Sequence, residues 1–166
     1  LILRSGIHIE ALIKGATQER ARRSGTENTL AIKGFGALCS TEHKVIEDEI
    51  NKFNIYKTTV ISILKDFKCE IIDENINSLP NLVSSMIPGV AASAVVAEFN
   101  RRGVNIHAGS SCGSEEFEIS KALLAIGISE TQAESVFRIS WGYATTLEDI
   151  EKFSKALGEI VDTFQR

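Results

Sequence analysis

Helical and strand-like patterns alternate along most of the sequence, and this alternation limits the folds available to the chain. Apolar residues recur at three- and four-residue steps over 46–67, as they do on one face of a long amphipathic helix. The same spacing returns over 92–99 and over 147–164. Short apolar runs bounded by turn residues stand between these segments. We therefore expect long helices packed against a small sheet.

Four short stretches are predicted as strands of that sheet: "CEIIDEN" (69–75), "NLVSSMI" (81–87), "VNIHA" (104–108) and "SVFRISW" (135–141). Short strands are the elements most easily miscounted, so the expected number is about three to five. The fold class predicted from the sequence is α/β, an α+β-like small domain with helices covering the sheet.

Helix ends are marked by side chains that cap exposed backbone groups. Ser129 with Gln132 is predicted to form a capping box, and so is Thr145 with Glu148 at the start of the final helix. An earlier helix is expected over about 29–38, although two glycines weaken it.

Composition excludes several classes of protein. The 166 residues are 43% hydrophobic, enough for one domain with a real core and a smaller appendage. A net charge of -4 argues against nonspecific nucleic-acid binding, which depends on contacts from Lys and Arg to phosphates. No apolar run approaches the roughly 18 residues of a membrane-spanning helix.

The cysteines and the methionine indicate the redox environment of the chain and its place in a longer polypeptide. Cys39, Cys69 and Cys112 are far apart and form no C-x-x-C pair, which favours a reducing cytoplasm over disulfides or a zinc site. Met86 is the only methionine, and the N-terminus lacks the pattern of a signal peptide. We expect the sequence to begin inside a longer natural polypeptide.

Cys112 lies in "AGSSCGSEEFEIS" (108–120), among glycines and serines that suit a thiol required to move. Only the thiolate is reactive, and the three glutamates that follow would oppose its formation. The segment thus predicts a Cys112 thiol that is accessible but not activated. A cysteine without a chemical role remains an alternative. His107, five residues earlier, is a candidate base, although its strand position favours a histidine in the core or at a strand edge.

Two other segments carry candidate binding groups. Arg138 interrupts an apolar strand, and its guanidinium needs either a substrate carboxylate or a structural partner. Gly25 and Thr26 lie in the basic loop "RRSGTEN" (22–28), where they would donate to a phosphate or simply cap the next helix.

Taken in order, six pieces of the sequence resemble the C-terminal part of a cysteine desulfurase, a pyridoxal-phosphate enzyme of the class V aminotransferase superfamily. They are "QERARRSGTEN", "GFGAL", "PGV", "GVNIHAGSSCGS", "LLAIGIS" and "FRISWGYATTLEDI", spread over nearly the whole chain. The distance from the cysteine to "KALLAIG" resembles the branch with a long cysteine loop.

The resemblance implies a role for each candidate. Cys112 would attack the sulfur of free cysteine, become a persulfide and release alanine. Arg138 would hold the substrate carboxylate, and Thr26 would reach the cofactor phosphate of the partner subunit in a homodimer. Sulfur would then pass to an acceptor such as an iron–sulfur scaffold. Residues 1–28 would connect to the cofactor-binding domain, and 29–166 would form the small C-terminal domain.

Some positions depart from the family. Ala16 and Thr17 replace glycines before "QE", Ile119 and Lys121 replace Pro and His, and "SWGYATT" carries changes as well. The cofactor lysine, its neighbouring histidine and the aspartate for the pyridine nitrogen have no matching positions, so the chain alone is expected to be inactive. The alternatives are a freestanding persulfide relay, a partner-binding domain without chemistry, and a lyase for selenocysteine.

Overall fold

The computed structural model describes residues 2–40, 43–72, 78–109 and 119–164. The chain divides into two compact units, residues 1–43 and residues 44–166. Each unit has its own local structure.

The first unit contains two helices, α1 (Gln18–Ala21) and α2 (Thr29–Cys39). Helix α2 begins after Asn28, whose side chain accepts a hydrogen bond from the Ala31 amide at 3.1 Å. None of the residues of α2 is buried, and its apolar side chains are largely exposed, among them Phe35 at 71%. The helix predicted over about 29–38 is therefore confirmed, but it has no core of its own.

The second unit holds the sheet and its helices. Helix α3 (His43–Asp66) begins at the boundary between the units, and the later elements follow in chain order. They are β1 (Glu70–Ile71), β2 (Leu82–Met86), α4 (Ala92–Arg101), β3 (His107–Ala108), α5 (Lys121–Ala125), α6 (Glu130–Ala133), β4 (Val136–Ser140) and α7 (Leu147–Phe164).

The four strands of the described residues form one sheet in the order β1-β2-β4-β3, and every neighbouring pair is antiparallel. Strand β4 is therefore central, with β2 on one side and the edge strand β3 on the other. Because β4 comes from the far end of the chain, the sheet forms only when distant segments meet.

One face of the sheet packs against α3, α4 and α7 and forms the core. Val60, Phe99 and Leu157 supply one buried side chain from each helix, and all three are fully buried. The ring of Phe99 stacks on Phe153 with centroids 5.3 Å apart and lies 6.5 Å from the ring of Phe137 in β4. This aromatic cluster joins two helices to the central strand.

The predicted α/β fold is confirmed, as are all four strand positions, although β1 and β3 are shorter than their apolar runs. The Ser129–Gln132 capping box is present, because the two residues exchange hydrogen bonds between side chain and backbone. Gln132 thereby completes the start of the short helix α6.

The second predicted capping box, Thr145 with Glu148, is wrong by one residue. Thr146 and Asp149 make the exchange instead: the Thr146 amide donates to Asp149 Oδ2 at 2.9 Å, and the Asp149 amide donates to Thr146 Oγ1 at 3.3 Å. Thr145 has another task, since its Oγ1 accepts from the Gly142 amide at 3.0 Å. Because two threonines are adjacent, the sequence did not show which of them forms the capping box.

Candidate functional site

Arg138 lies on the sheet face opposite the core. In β4 its neighbours Phe137 and Ile139 are buried, whereas Arg138 is exposed. Successive side chains of a strand point to opposite faces, so burying the two apolar neighbours turns the guanidinium outward. The apolar pattern around Arg138 thus fixes the direction of its side chain.

The register of the sheet places a polar residue on each side of Arg138. Ser84 of β2 lies opposite it on one side, and His107 of β3 lies opposite it on the other. Directly paired residues share a face, so Ser84, Arg138 and His107 form a line across three strands. We call this line the polar row.

Around the polar row, the outer face changes in character along the strands. Met86 and Val136 pair with each other on the same face and are buried. Ser140, two residues beyond Arg138, is exposed. Arg138 therefore stands between an apolar end and an open end of the face, a setting that gives a charged group both solvent access and partial shielding.

His107 is held by its own backbone. Its Nδ1 lies 2.6 Å from the carbonyl oxygen of Ala108. Since a carbonyl oxygen only accepts, Nδ1 carries the hydrogen and donates it. The imidazole belongs to the polar row as an exposed residue beside Arg138, which rules out the core position considered for it.

The chain leaves β3 at a tightly fixed point. The Gly109 amide donates a hydrogen bond to the Val136 carbonyl at 2.7 Å. A Cβ at Gly109 would come within 2.9 Å of the same oxygen, so only glycine fits without a shift. Cys112 follows three residues later and lies outside the described residues.

A cavity of about 230 Å³ lies near this point, lined by residues that include Ala108 and Ile119. These two residues stand on either side of the segment that contains Cys112. Ser93 and Glu134 supply polar groups to the same cavity. The chain therefore enters and leaves the cysteine segment beside one hollow of the surface.

Thr26 belongs to the first unit and is exposed. It follows Gly25, whose φ of +99° is a backbone conformation that glycine adopts readily. The same loop is pinned by Ser24, whose amide and hydroxyl both donate to the Ile13 carbonyl, at 3.2 Å and 2.7 Å. Thr26 thus extends from a locally braced loop.

The other two cysteines differ in their surroundings. Cys39 at the end of α2 is exposed, and Cys69 before β1 is buried. Burial raises the pKa of the Cys69 thiol to about 11. Neither shares the small, polar sequence context of Cys112.

Sequence reasoning missed Ser84. It lies in the run "NLVSSMI", where Ser85 is the buried serine and donates to the Glu70 carbonyl at 2.8 Å. The alternation of the strand placed Ser84 on the outer face, but only the register with β4 shows which residue it meets.

Among the described residues, no group of His, Cys, Asp and Glu could hold a metal ion. Within the same residues, no helix is long and apolar enough to cross a membrane.

An antiparallel sheet with helices on one face and an exposed arginine on the other defines a small α/β domain. Residues 7–153 match the Aminotransferase class-V family. The chain belongs to that family, whose members use pyridoxal 5′-phosphate.

Its relatives carry one recurring name. A cysteine desulfurase of Sinorhizobium fredii is 30% identical over 97% of this chain and 42% of that protein. A cysteine desulfurase of Nostoc is 30% identical over 98% of this chain and 41% of that protein. The chain thus spans about two fifths of the length of the curated relatives it matches.

Solved structures agree with the fold. The X-ray structure of a NifS-like protein from Rickettsia africae is 32% identical, with a TM-score of 0.79 over 94% of this chain and 41% of that one. A second NifS-like protein is 25% identical with a TM-score of 0.84, over 97% of this chain and 41% of that one.

Proposed function

We propose that this chain serves as the small C-terminal domain of a pyridoxal-phosphate cysteine desulfurase, with residues 1–28 as its connection to the cofactor-binding domain and 29–166 as the domain itself. The observation that carries the proposal is the family match over residues 7–153, which spans both Cys112 and Arg138. The relatives and solved structures of this family support the same assignment.

Arg138 binds the substrate in this proposal. It is exposed on the outer face of β4, and a guanidinium holds a carboxylate through two parallel hydrogen bonds. Because its neighbours Phe137 and Ile139 are buried on the core face, the side chain of Arg138 is held on the outer face. Arg138 thereby orients the amino acid so that its sulfur faces the attacking thiol.

Cys112 is the nucleophile. Its thiolate attacks the sulfur of L-cysteine and forms an S–S bond, while the bond between that sulfur and the substrate Cβ breaks. The electron pair of the broken bond passes to the substrate carbon, which takes up a proton, and alanine leaves. The enzyme keeps the sulfur as a persulfide on Cys112 and passes it to an acceptor such as an iron–sulfur scaffold.

The loop that holds Thr26 fits the phosphate of the cofactor. Thr26 is exposed, and the loop around it carries Arg22 and Arg23. Hydroxyl, backbone amide and arginine donors are the groups that bind phosphate. In the homodimer we propose, Thr26 donates to the cofactor phosphate of the partner subunit. The cofactor itself supplies an electron sink for the cleavage of the C–S bond.

The proposal places the lysine that binds the cofactor outside these 166 residues, so the chain alone releases no alanine from cysteine. The activity belongs to the complete polypeptide, which we place in the cytoplasm. Its substrate is L-cysteine, and selenocysteine is the competing substrate to be assayed beside it.

The test compares the complete polypeptide with its Cys112→Ser variant. The unchanged protein should release alanine from L-cysteine and accumulate a persulfide, whereas Cys112→Ser should bind the cofactor, with its visible absorbance, and form no persulfide. The matched control is Cys39→Ser, at the exposed cysteine of α2. It should still release alanine and accumulate the persulfide. Normal sulfur transfer by Cys112→Ser would contradict the assignment.

A further inference from the structure

Ser84 is the cross-strand neighbour that comes closest to Arg138. In an antiparallel pair, opposite residues joined by two backbone hydrogen bonds alternate with unjoined ones, whose Cα atoms are closer, at about 4.5 Å against about 5.5 Å. The Trp141 amide donates to the Asn81 carbonyl at 3.1 Å, so these two residues form a joined pair. Three residues further along each strand, Ser84 and Arg138 therefore form an unjoined pair at the closer spacing.

Two further backbone hydrogen bonds agree with this spacing. The Ser84 carbonyl accepts from the Ile72 amide at 2.9 Å, so it faces the side of β2 away from β4. On the other side of β4, the hydrogen bond between Gly109 and Val136 puts Arg138, two residues on, in a joined pair with β3. The side chain of Arg138 therefore starts nearer to its neighbour in β2 than to its neighbour in β3.

The side chains of Ser84 and Arg138 are both open to a ligand. Arg138 is exposed, and Ser84 is half-buried on the same outer face. In the part of the chain that the structure describes, neither side chain takes part in a hydrogen bond or an ion pair. The next residue, Ser85, differs, because its hydroxyl donates to the Glu70 carbonyl at 2.8 Å. The Ser84 hydroxyl is thus a donor that a ligand of Arg138 can use.

A carboxylate fits these two groups together. Its two oxygens offer about four lone-pair sites, and a guanidinium that binds it through two parallel hydrogen bonds fills about two of them. A serine hydroxyl donates one further hydrogen bond and needs no change of protonation to do so. The short side chain of Ser84 also leaves room for the anion on the side of Arg138 that faces β2.

We propose that Ser84 is a second substrate-binding residue, whose hydroxyl donates a hydrogen bond to the α-carboxylate of the amino acid held by Arg138. The inference rests on the proposed function, since it takes Arg138 as the carboxylate-binding residue. It assigns a role in substrate specificity to β2, a strand that carries neither the proposed nucleophile nor the arginine.

The experiment removes and restores the hydroxyl in the complete polypeptide. We expect Ser84→Ala to raise the KM for L-cysteine about tenfold with kcat changed less than about twofold, because a hydrogen bond to a charged group is lost equally from the ground state and the transition state. Ser84→Thr keeps a hydroxyl on a side chain that suits a strand, and it should recover most of the loss.

Two small molecules identify the group that is contacted. L-Alanine, the product, has the carboxylate, and its inhibition constant should rise in Ser84→Ala by the same factor as the KM. Cysteamine has the amine and the thiol of cysteine but no carboxylate, and its inhibition constant should stay unchanged. Ser154→Ala is the control for the loss of a half-buried hydroxyl, since Ser154 lies in α7 on the core side of the sheet. It should keep the KM of the unchanged protein.

The outcomes separate the two proposals. If the unchanged protein releases no alanine from cysteine, the proposed function fails. If it does, and Ser84→Ala has the KM of the unchanged protein, the role of Ser84 is overturned. Equal rises for Ser84→Ala and Ser84→Thr, or equal effects on L-alanine and cysteamine, would also overturn it, because they would mean that the residue acts only through the packing of the strand.

Discussion

Gly109 and Val136 approach each other so closely that a hydrogen bond of 2.7 Å joins the amide of one to the carbonyl of the other. Val136 is two residues from Arg138 in β4, and Gly109 is three residues from Cys112. This contact therefore ties the beginning of the cysteine segment to the strand that carries the proposed carboxylate-binding residue. It fixes the chain three residues before Cys112.

Gly109→Ala is expected to destabilise the chain by about 1–3 kcal/mol, the usual cost of overpacking. The added Cβ would lie 2.9 Å from the Val136 carbonyl oxygen and 3.2 Å from a Val136 methyl group, so the two strands must separate. Urea unfolding of the 166-residue chain, followed by circular dichroism, measures the change.

Gly142→Ala is the matched control for this substitution, because nothing lies within 4 Å of a Cβ at Gly142. It should leave the free energy of unfolding within about 0.5 kcal/mol of that of the unchanged chain. A Gly109→Ala chain as stable as the Gly142→Ala chain would mean that β3 and β4 separate without cost.

Phe99→Ala is expected to cost about 3–5 kcal/mol of stability, as for other fully buried phenylalanines. Its ring is buried and stacks on Phe153. Phe35→Ala, where the ring is 71% exposed, should change stability by less than about 0.5 kcal/mol in the same chain. Similar urea midpoints for the two variants would contradict the packing of the core.

Acid should weaken the start of α7. Hydrogen bonds from the backbone and hydroxyl of Thr146 hold the pKa of the Asp149 carboxyl below its usual range. Such a carboxylate stabilises the fold fully above the unfolded pKa of about 3.9 and loses that contribution as pH falls further. Asp149→Asn should therefore lower stability at neutral pH and reduce the loss seen on acidification from pH ~5 to ~2.

Urea midpoints at neutral pH and at a pH of about 3 measure this effect. Glu151→Gln, an exposed position one turn away from the cap, provides the control and should keep the acid sensitivity of the unchanged chain. If Asp149→Asn is as sensitive to acid as the unchanged chain, the carboxylate contributes nothing through its pKa.

Local pattern was enough to predict the strands and helices, because buried apolar side chains repeat with the period of each element. It was also enough to single out Arg138, a charge inside an apolar strand. The polar row was not predictable in this way. Ser84 and His107 meet Arg138 through the pairing of strands that are far apart in sequence, and a single sequence holds no signal for that register.

The capping error has a different cause. Thr145 and Thr146 are chemically alike, and an acidic residue follows each at the spacing of a capping box, Glu148 and Asp149. The turn before the helix decides between them, because there the Gly142 amide donates a hydrogen bond to the Thr145 hydroxyl. That hydrogen bond leaves Thr146 to begin α7.

The described thiols should differ widely in reactivity. Burial raises the pKa of Cys69 to about 11, so at pH ~8 only about one thiol in a thousand is thiolate. Cys39 is exposed and has no such barrier to reagents. In the Cys112→Ser chain, which removes the third thiol, a disulfide reagent should therefore label one cysteine quickly and the other at a rate limited by unfolding.

Peptide mapping after short labelling should find the modification on Cys39, and labelling in denaturant should find it on both cysteines. Adding urea below the unfolding transition should speed the reaction of Cys69 and leave that of Cys39 unchanged, because only Cys69 needs the core to open. Rapid labelling of Cys69 in the folded chain would mean that the junction of α3 with β1 opens locally. The core beneath the sheet would then be less rigid than its packing requires.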